Sequence, residues 1–291
     1  MTKPRIALCT WSDPSYLDPE PPQIADALRA LDVDAEVVVW HSDLDWATFD
    51  LVVIRSTWDY FDRLEEFLQW AEHVDSVARI VNSPKIIRWN SHKGYLAELG
   101  EAGIPVLPGL ALAQGATHPV DQMLATGWGD VVIKPAVDGG ARGALRTAAS
   151  SDEAAEHLTR LVEAGDTIVQ PFAPSVEQGE TSLFFFGGGF SHAVRKVPKA
   201  GDYRVQALHG GSEEVHVPTP AELDVATRAM ALAPDDLVYA RVDLIDVDGQ
   251  PTLMELELIE PDLFLRMAPG SAERFAAAVA AVAAEVSTDS M

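Results

Sequence analysis

Short apolar runs alternate with amphipathic stretches along the first part of the chain. Ile6–Thr10, Glu36–Trp40 and Leu51–Arg55 are β-branched runs of strand length, and Ala78–Asn82 reads as a fourth. Between the first two, Pro21-Pro22 opens a helix whose Ile24, Leu28 and Leu31 fall on one stripe, because residues three and four apart share a helical face. A second helix follows Arg55, with Asp62 and Glu65 in a capping-box pattern and Phe61, Leu64, Leu68 and Ala71 as its stripe. Strands alternating with helices at this spacing predict a parallel α/β sheet. No G-x-G-x-x-G follows the first strand, so nothing marks that sheet as a dinucleotide site.

Asn82-Ser83-Pro84 punctuates the chain, and the pattern changes after it. The reading continues as a helix near His92–Gly100, a strand Pro105–Ala111 and a helix around Pro119–Thr126. A strand Val131–Lys134, a glycine loop, a strand Ala144–Ala148 and a helix Asp152–Ala164 capped by Ser150 or Ser151 come next. From Thr167 the chain reads as mostly β with antiparallel hairpins, closed by a helix over Phe275–Val286 behind a Ser271 cap.

Composition narrows the function class. The chain has 291 residues, enough for two or three domain-sized units, and 47% of them are apolar, which fits an ordered globular enzyme. A formal charge of −24 argues against a nucleic-acid partner, whose phosphates are held by many Lys and Arg. Cys9 is alone, so no intrachain disulfide can form and a reducing cytoplasm is expected. Met1–Thr10 is too short an apolar run for a secretory signal, and no stretch approaches the ~20 apolar residues that span a bilayer, so no membrane partner is expected. Only six lysines occur, and Lys93, Lys134, Lys196 and Lys199 lie in segments that stand out on other grounds.

Three constellations carry chemistry. In the first, the apolar strand Val131–Lys134 leads into Asp138-Gly139-Gly140-Ala141-Arg142-Gly143. A lysine beside glycine-rich backbone can surround phosphate oxygens with an ammonium and N–H groups, although a plain hairpin with an open tip has the same signature. In the second, Arg241-Val242-Asp243 and Met254-Glu255-Leu256-Glu257-Leu258 flank a turn at Asp246–Gly249. Period two sets Arg241 and Asp243 on one face and Glu255 and Glu257 on one face, with Asp243 roughly opposite Glu255. Three carboxylates so close call for a cation, and oxygen-only ligands suit Mg²⁺; a solvated acidic face fits the same alternation. The third runs from Glu177-Gln178-Gly179-Glu180 to Arg195-Lys196-Val197-Pro198-Lys199 and Gly201-Asp202-Tyr203-Arg204, a concentration of cations suited to a phosphate or a developing anion. The eight histidines show no metal-ligand spacing, and Ser56 and Thr57 have no evident triad partners.

Taken in order, these segments resemble the ATP-grasp superfamily, most closely its glutathione-synthetase-like branch, over nearly the whole chain. The resemblance implies a Rossmann-like N-terminal (pre-ATP-grasp) domain at 1–88, a small lid subdomain at 89–168 and a C-terminal catalytic subdomain at 169–291, the last two forming an α+β ATP-grasp. It implies ATP and Mg²⁺ as cofactors, with Lys93 and Lys134 on the phosphates and Gly139, Gly140, Arg142 and Gly143 in a mobile loop over them. Gln170 and Phe172 would meet adenine and Glu177 the ribose. Arg204 would stabilise the acyl-phosphate and tetrahedral intermediate with Lys196 nearby, and Gly210-Gly211 would present backbone to substrate. Asp243, Glu255 and Glu257 match the metal ligands, with Glu257 standing where the family usually has Asn. A narrower likeness, to cyclo-ligases that close O-ureido-serine to cycloserine, rests on Arg55-Ser56-Thr57-Trp58-Asp59-Tyr60, Arg195–Lys199, Gly201–Arg204 and Glu257–Pro261.

Arg55, at the carboxyl end of a strand where open α/β sheets bind ligands, is expected to grip a substrate carboxylate, with Trp58 and Asp59 shaping the pocket; Arg241 is assigned to substrate as well. The expected function is an ATP-dependent carboxylate–amine ligase acting on a small amino-acid-like molecule, by ring closure or by joining two amino acids. A nucleotide-binding regulator without chemistry is the rival from another class. A homodimer is only the family-level expectation.

Overall fold

A computed structural model describes residues 3–13, 18–199, 202, 204–205 and 210–289. Its first sheet is parallel, in the order β2-β1-β3-β4: β1 is Arg5–Thr10, β2 Asp34–Val39, β3 Leu51–Ser56 and β4 Arg79–Val81. Alternation decides what each face meets. Ile6, Leu8 and Val53 pack with Ile24 and Leu28 of α1 (Glu20–Ala30), whereas Ala7, Cys9, Val52 and Ile54 pack with Phe67, Ala71 and Val74 of α2 (Leu64–Val77). Every residue of β3 is buried, as for a central parallel strand covered on both sides. The expected capping box is absent. A 3₁₀ turn at Tyr60–Arg63 precedes α2, Arg63 is its N-cap without a side-chain bond, and the Asp62 carboxylate instead accepts from Arg142.

Helices α3 (Pro84–Asn90) and α4 (Tyr95–Glu101) follow. The second sheet is antiparallel, in the order β5-β8-β6-β7, with β5 at Leu110–Leu112, β6 at Asp130–Pro135, β7 at Leu145–Ala148 and β8 at Thr167–Pro171. With α5 (Pro119–Ala125) and α6 (Asp152–Ala164) it encloses its own core of Met123, Val131, Ile133, Leu158 and Val169. Ser151 caps α6 by accepting from the Ala154 amide. The strand expected at Pro105–Ala111 begins only at Leu110, because Pro105 and Pro108 lack the amide donors a ladder needs; Val106 instead bridges to Leu253.

The third sheet is antiparallel, in the order β11-β10-β9-β12-β13: β9 is Glu180–Phe186, β10 Gly189–Val197, β11 Ser212–His216, β12 Tyr239–Val247 and β13 Gln250–Glu257. One face packs on α3, α4 and α7 (Pro220–Met230) through Ile86, Tyr95, Leu99, Ala226, Phe185 and Leu256. The other packs on α8 (Ser271–Asp289), whose Phe275 and Val279 also touch the core under α1. Ser271 opens α8, but its hydroxyl donates to the Leu265 carbonyl rather than accepting a cap bond. Since α3 and α4 pack on the third sheet and β8 completes the second, we draw the middle unit as Leu110–Pro171.

Candidate active site

The acidic site is made by a register shift. The turn between β12 and β13 is Asp248-Gly249, both at positive φ (53° and 81°), which suits a tight hairpin of matching twist. From it the ladder runs regularly to Leu244 opposite Leu253, and then Met254 is skipped, so Asp243 pairs with Glu255 and Arg241 with Glu257. Without that bulge Met254 would oppose Asp243, and both glutamates would turn to the other face. Oxygens of Asp243, Glu255 and Glu257 therefore lie within 4.8 Å of one another. Hard oxygen donors in this arrangement fit a divalent cation such as Mg²⁺.

Cations hold the cluster together. Lys93 Nζ is 2.8 Å from Glu255 Oε1 and donates to the Asp138 carbonyl at 2.6 Å. Lys196 is buried between Glu180 (2.5 Å) and Asp243 (3.5 Å). Arg241 lies 3.0 Å from Asp243 and pairs with Glu257, and Ser182 donates to Asp243 at 2.5 Å. Burial opposes the charge on Lys93, and Glu255 more than offsets it, so its pKa is raised. Burial, with Glu255 and Asp243 crowding it, pushes Glu257 up to about 7 against the pull of Arg241. The cluster is thus short of positive charge, which again fits a metal. Lys134, on β6, makes no ion pair among the described residues; burial and the neighbouring Lys93 lower its pKa to about 8, with Glu255 opposing. It is left available for an anion.

The glycine loop closes over this cavity. A Cβ on Gly139 would lie 2.3 Å from the Phe61 ring, so only glycine lets the loop rest there. Arg142 bonds Asp62 at 3.0 and 3.2 Å and Asp138 at 3.0 Å, with its guanidinium 5.4 Å from the Phe61 centroid. Gly140 and Gly143 take positive φ, as the tight loop requires. Farther along β8, Gln170 is buried. Phe172 carries the Arg146 guanidinium 3.4 Å from its ring centroid, and Arg146 reaches Glu177 at 3.1 Å. The structure therefore brings together Lys93, Lys134, Lys196, Asp243, Glu255 and Glu257, and sets Phe172 and Glu177 around Arg146.

Other expected site residues have structural partners of their own. Arg55 is 0% exposed: its guanidinium donates to the Pro261 carbonyl at 2.7 Å and sits between the Tyr239 and Phe275 rings, so it ties segments together. Ser56 and Thr57 are equally buried, with Ser56 bonded to Thr10. The reason is the return of the chain after β13, which with α8 covers the end of β3. Trp58 donates to the Glu260 carbonyl at 3.0 Å and Asp59 accepts from the Trp40 indole at 2.8 Å, so both brace the wall. Arg241, assigned to substrate, instead serves as counter-charge, because β12 sets it beside Asp243 and opposite Glu257.

Arg204 bonds Asp202 through its backbone amide and guanidinium. Gly211 packs so closely that a Cβ would meet the Val205 carbonyl at 2.2 Å, so it shapes the loop; Gly210 sits beside it at φ 84°. Gly201 and Tyr203 of the expected motif lie outside the described residues. Glu180 was noted in the sequence without a role of its own, and Arg146 was not read as a site residue. Glu180 could have been found as the partner that strand pairing gives Lys196; Arg146 carried no comparable signal.

Residues 114–266 match the family described as prokaryotic glutathione synthetase, ATP-grasp domain, and residues 6–82 match that described as D-cycloserine synthetase DcsG, N-terminal domain. The cycloserine biosynthesis protein DcsG of Streptomyces lavendulae is 35% identical over 300 residues, covering 94% of this chain and 97% of that protein. A glutathione synthetase of Prochlorococcus marinus (strain MIT 9313) is 27% identical over 236 residues, 76% of this chain and 73% of its own length. A crystal structure of D-cycloserine synthetase DcsG has a TM-score of 0.86 at 34% identity, covering 96% of this chain and 99% of that one. A D-alanine–D-alanine ligase from Bacillus anthracis complexed with ATP, with a TM-score of 0.72 at 14% identity over 99% of both chains, shares the fold. Among the described residues, no helix is long and apolar enough to cross a membrane.

Proposed function

Because the chain belongs to the ATP-grasp ligases, we propose that it activates the carboxylate of a small amino-acid-like substrate with ATP and closes a ring by attack of the substrate's own nitrogen with phosphate leaving, as when O-ureido-serine closes to cycloserine and the carbamoyl group on that nitrogen is lost by hydrolysis as carbon dioxide and ammonia. The observation that carries this reading is the convergence of Asp243, Glu255 and Glu257 with Lys93, Lys134 and Lys196 beneath the glycine loop. ATP and Mg²⁺, when bound, supply the phosphoryl group that turns a carboxylate into an acyl-phosphate.

Each residue then has a task. Asp243, Glu255 and Glu257 are the set that would hold Mg²⁺, and Arg241 keeps two of them in place. Lys134 and Lys93 would hold the phosphates, Lys93 exchanging part of its contact with Glu255 for phosphate oxygen. Gly139, Gly140 and Gly143 let the loop backbone approach, and the Arg142–Asp62 contact closes it against water, which an acyl-phosphate requires. Gln170, Phe172 and Glu177 form the nucleoside wall. Arg204, oriented by Asp202, would be the donor for the oxyanion formed when nitrogen attacks, and Lys196 holds Asp243 in place.

The test is ADP release with ATP, Mg²⁺ and a panel of amino-acid-like carboxylates that includes O-ureido-serine, followed by product mass. ADP together with a cyclised product supports ring closure. ADP formed only when two amino acids are supplied points to intermolecular ligation. Silence across the panel despite nucleotide binding overturns the ligase reading.

A further inference from the structure

One cavity lies between the metal-type carboxylates, the glycine loop and the 3₁₀ turn after β3; Tyr60, Lys93, Gly139, Glu255, Glu257 and Glu260 line it. Lys93 pairs with Glu255, Glu257 pairs with Arg241, and Gly139 is pressed on Phe61. Two polar groups in this wall remain unmatched. The Tyr60 hydroxyl and the Glu260 carboxylate make no hydrogen bond or ion pair among the described residues, although Tyr60 is only 5% exposed. Both are held in place by other means: the Tyr60 ring packs at 4.3 Å on Phe61 and 4.8 Å on Phe67, and the Glu260 backbone carbonyl accepts from the Trp58 indole at 3.0 Å. Both groups line the cavity rather than face a protein partner, so a rigid pair of this kind fits an occupant with complementary donors.

We propose that Tyr60 and Glu260 form the seat of the substrate's nucleophilic nitrogen. Among the described residues Glu260 is not part of the set of oxygens within 4.8 Å that could share a metal, so it is available for another ligand. A carboxyl oxygen accepts an N–H, and a phenol both donates and accepts. Together they match an N–H group such as the oxygen-bound ureido nitrogen of O-ureido-serine, whose single hydrogen a carboxyl oxygen can accept; a second carboxylate would be repelled by three glutamates. The seat adjoins Lys93 and Glu257, beside the place assigned to carboxylate activation, so a nitrogen held there faces the acyl carbon. This assignment rests on the ligase reading and names the residues that receive its nucleophile.

The test uses the full chain with ATP, Mg²⁺ and O-ureido-serine, comparing Glu260→Gln and Tyr60→Phe with the unaltered protein. Product formation and hydroxamate formed on adding hydroxylamine, which traps the activated carboxylate, are measured side by side, with nucleotide affinity as a control. Glu260→Gln is expected to lower product formation roughly 100-fold, and Tyr60→Phe about 10-fold, with hydroxamate within about threefold of the unaltered protein. A structural defect lowers both readouts alike. Unchanged product formation in both variants, or equal loss of hydroxamate, overturns the seat. Absence of any ADP or hydroxamate from the unaltered protein overturns the ligase reading itself, and the seat with it.

Discussion

At Lys134 the needs of the fold and of the ligand pull in opposite directions. Burial and the nearby Lys93 bring its pKa down to about 8 from the usual 10.5. Between those values the unfolded chain binds more protons than the native one, so this group makes stability rise with pH; below about 8 the fold carries the full cost of a buried cation. Lys134→Met is therefore expected to gain about 2 kcal/mol at pH 7, seen as a higher thermal midpoint, while ADP release falls at least about 100-fold. A lower midpoint with turnover retained would contradict both halves. Lys134 stood out in the sequence as a lysine ending an apolar strand before glycines, a pattern that a plain hairpin shares, and only the order of the other segments singled it out. Arg55 was not: the groups that bury it, Tyr239, Pro261 and Phe275, arrive from the far end of the chain, with Pro261 206 positions away. Local pattern gave the arginine a strand end but not its cover.

Elements show the same division. The β12–β13 hairpin is announced by Asp248-Gly249, and its acids by alternation, yet Met254–Leu258 reads as an unbroken alternation although a bulge at Met254 is what turns the acids toward Asp243. The buried pair Leu253 and Leu256, an odd number of positions apart, is the trace it leaves. In the glycine loop, Gly139 was read as a phosphate contact; its clearest requirement in the fold is the Phe61 ring. This yields a suppressor prediction. Gly139→Ala should lower kcat/KM for ATP roughly 10-fold by lifting the loop, and Phe61→Ala in the same chain should restore most of that loss, since the two changes share one contact. Additive losses would show that the alanine acts elsewhere, and that Phe61 does not set the loop's position.

Across the whole molecule, the division of cores explains why the site sits where it does. The first sheet and the third share one core through α1 and α8, whereas the middle sheet carries its own. The cavity therefore has a firm floor, formed by β12, β13 and the segment after β3, and a separately packed cover linked to it by Lys93 with Asp138 and by Arg142 with Asp62. The strand–helix alternation and both hairpin-bearing sheets could be read from the sequence. The packing of α3 and α4 on the third sheet could not, because a stripe of Ile86, Leu96 and Leu99 states that a face is buried but not against what. The central claim is that a substrate carboxylate oxygen attacks the γ-phosphorus and later leaves with it. Turnover of substrate carrying ¹⁸O in its carboxylate, with the phosphate product examined by ³¹P NMR, tests that directly. The account predicts one ¹⁸O in each inorganic phosphate released. Unlabelled phosphate accompanying product would contradict it.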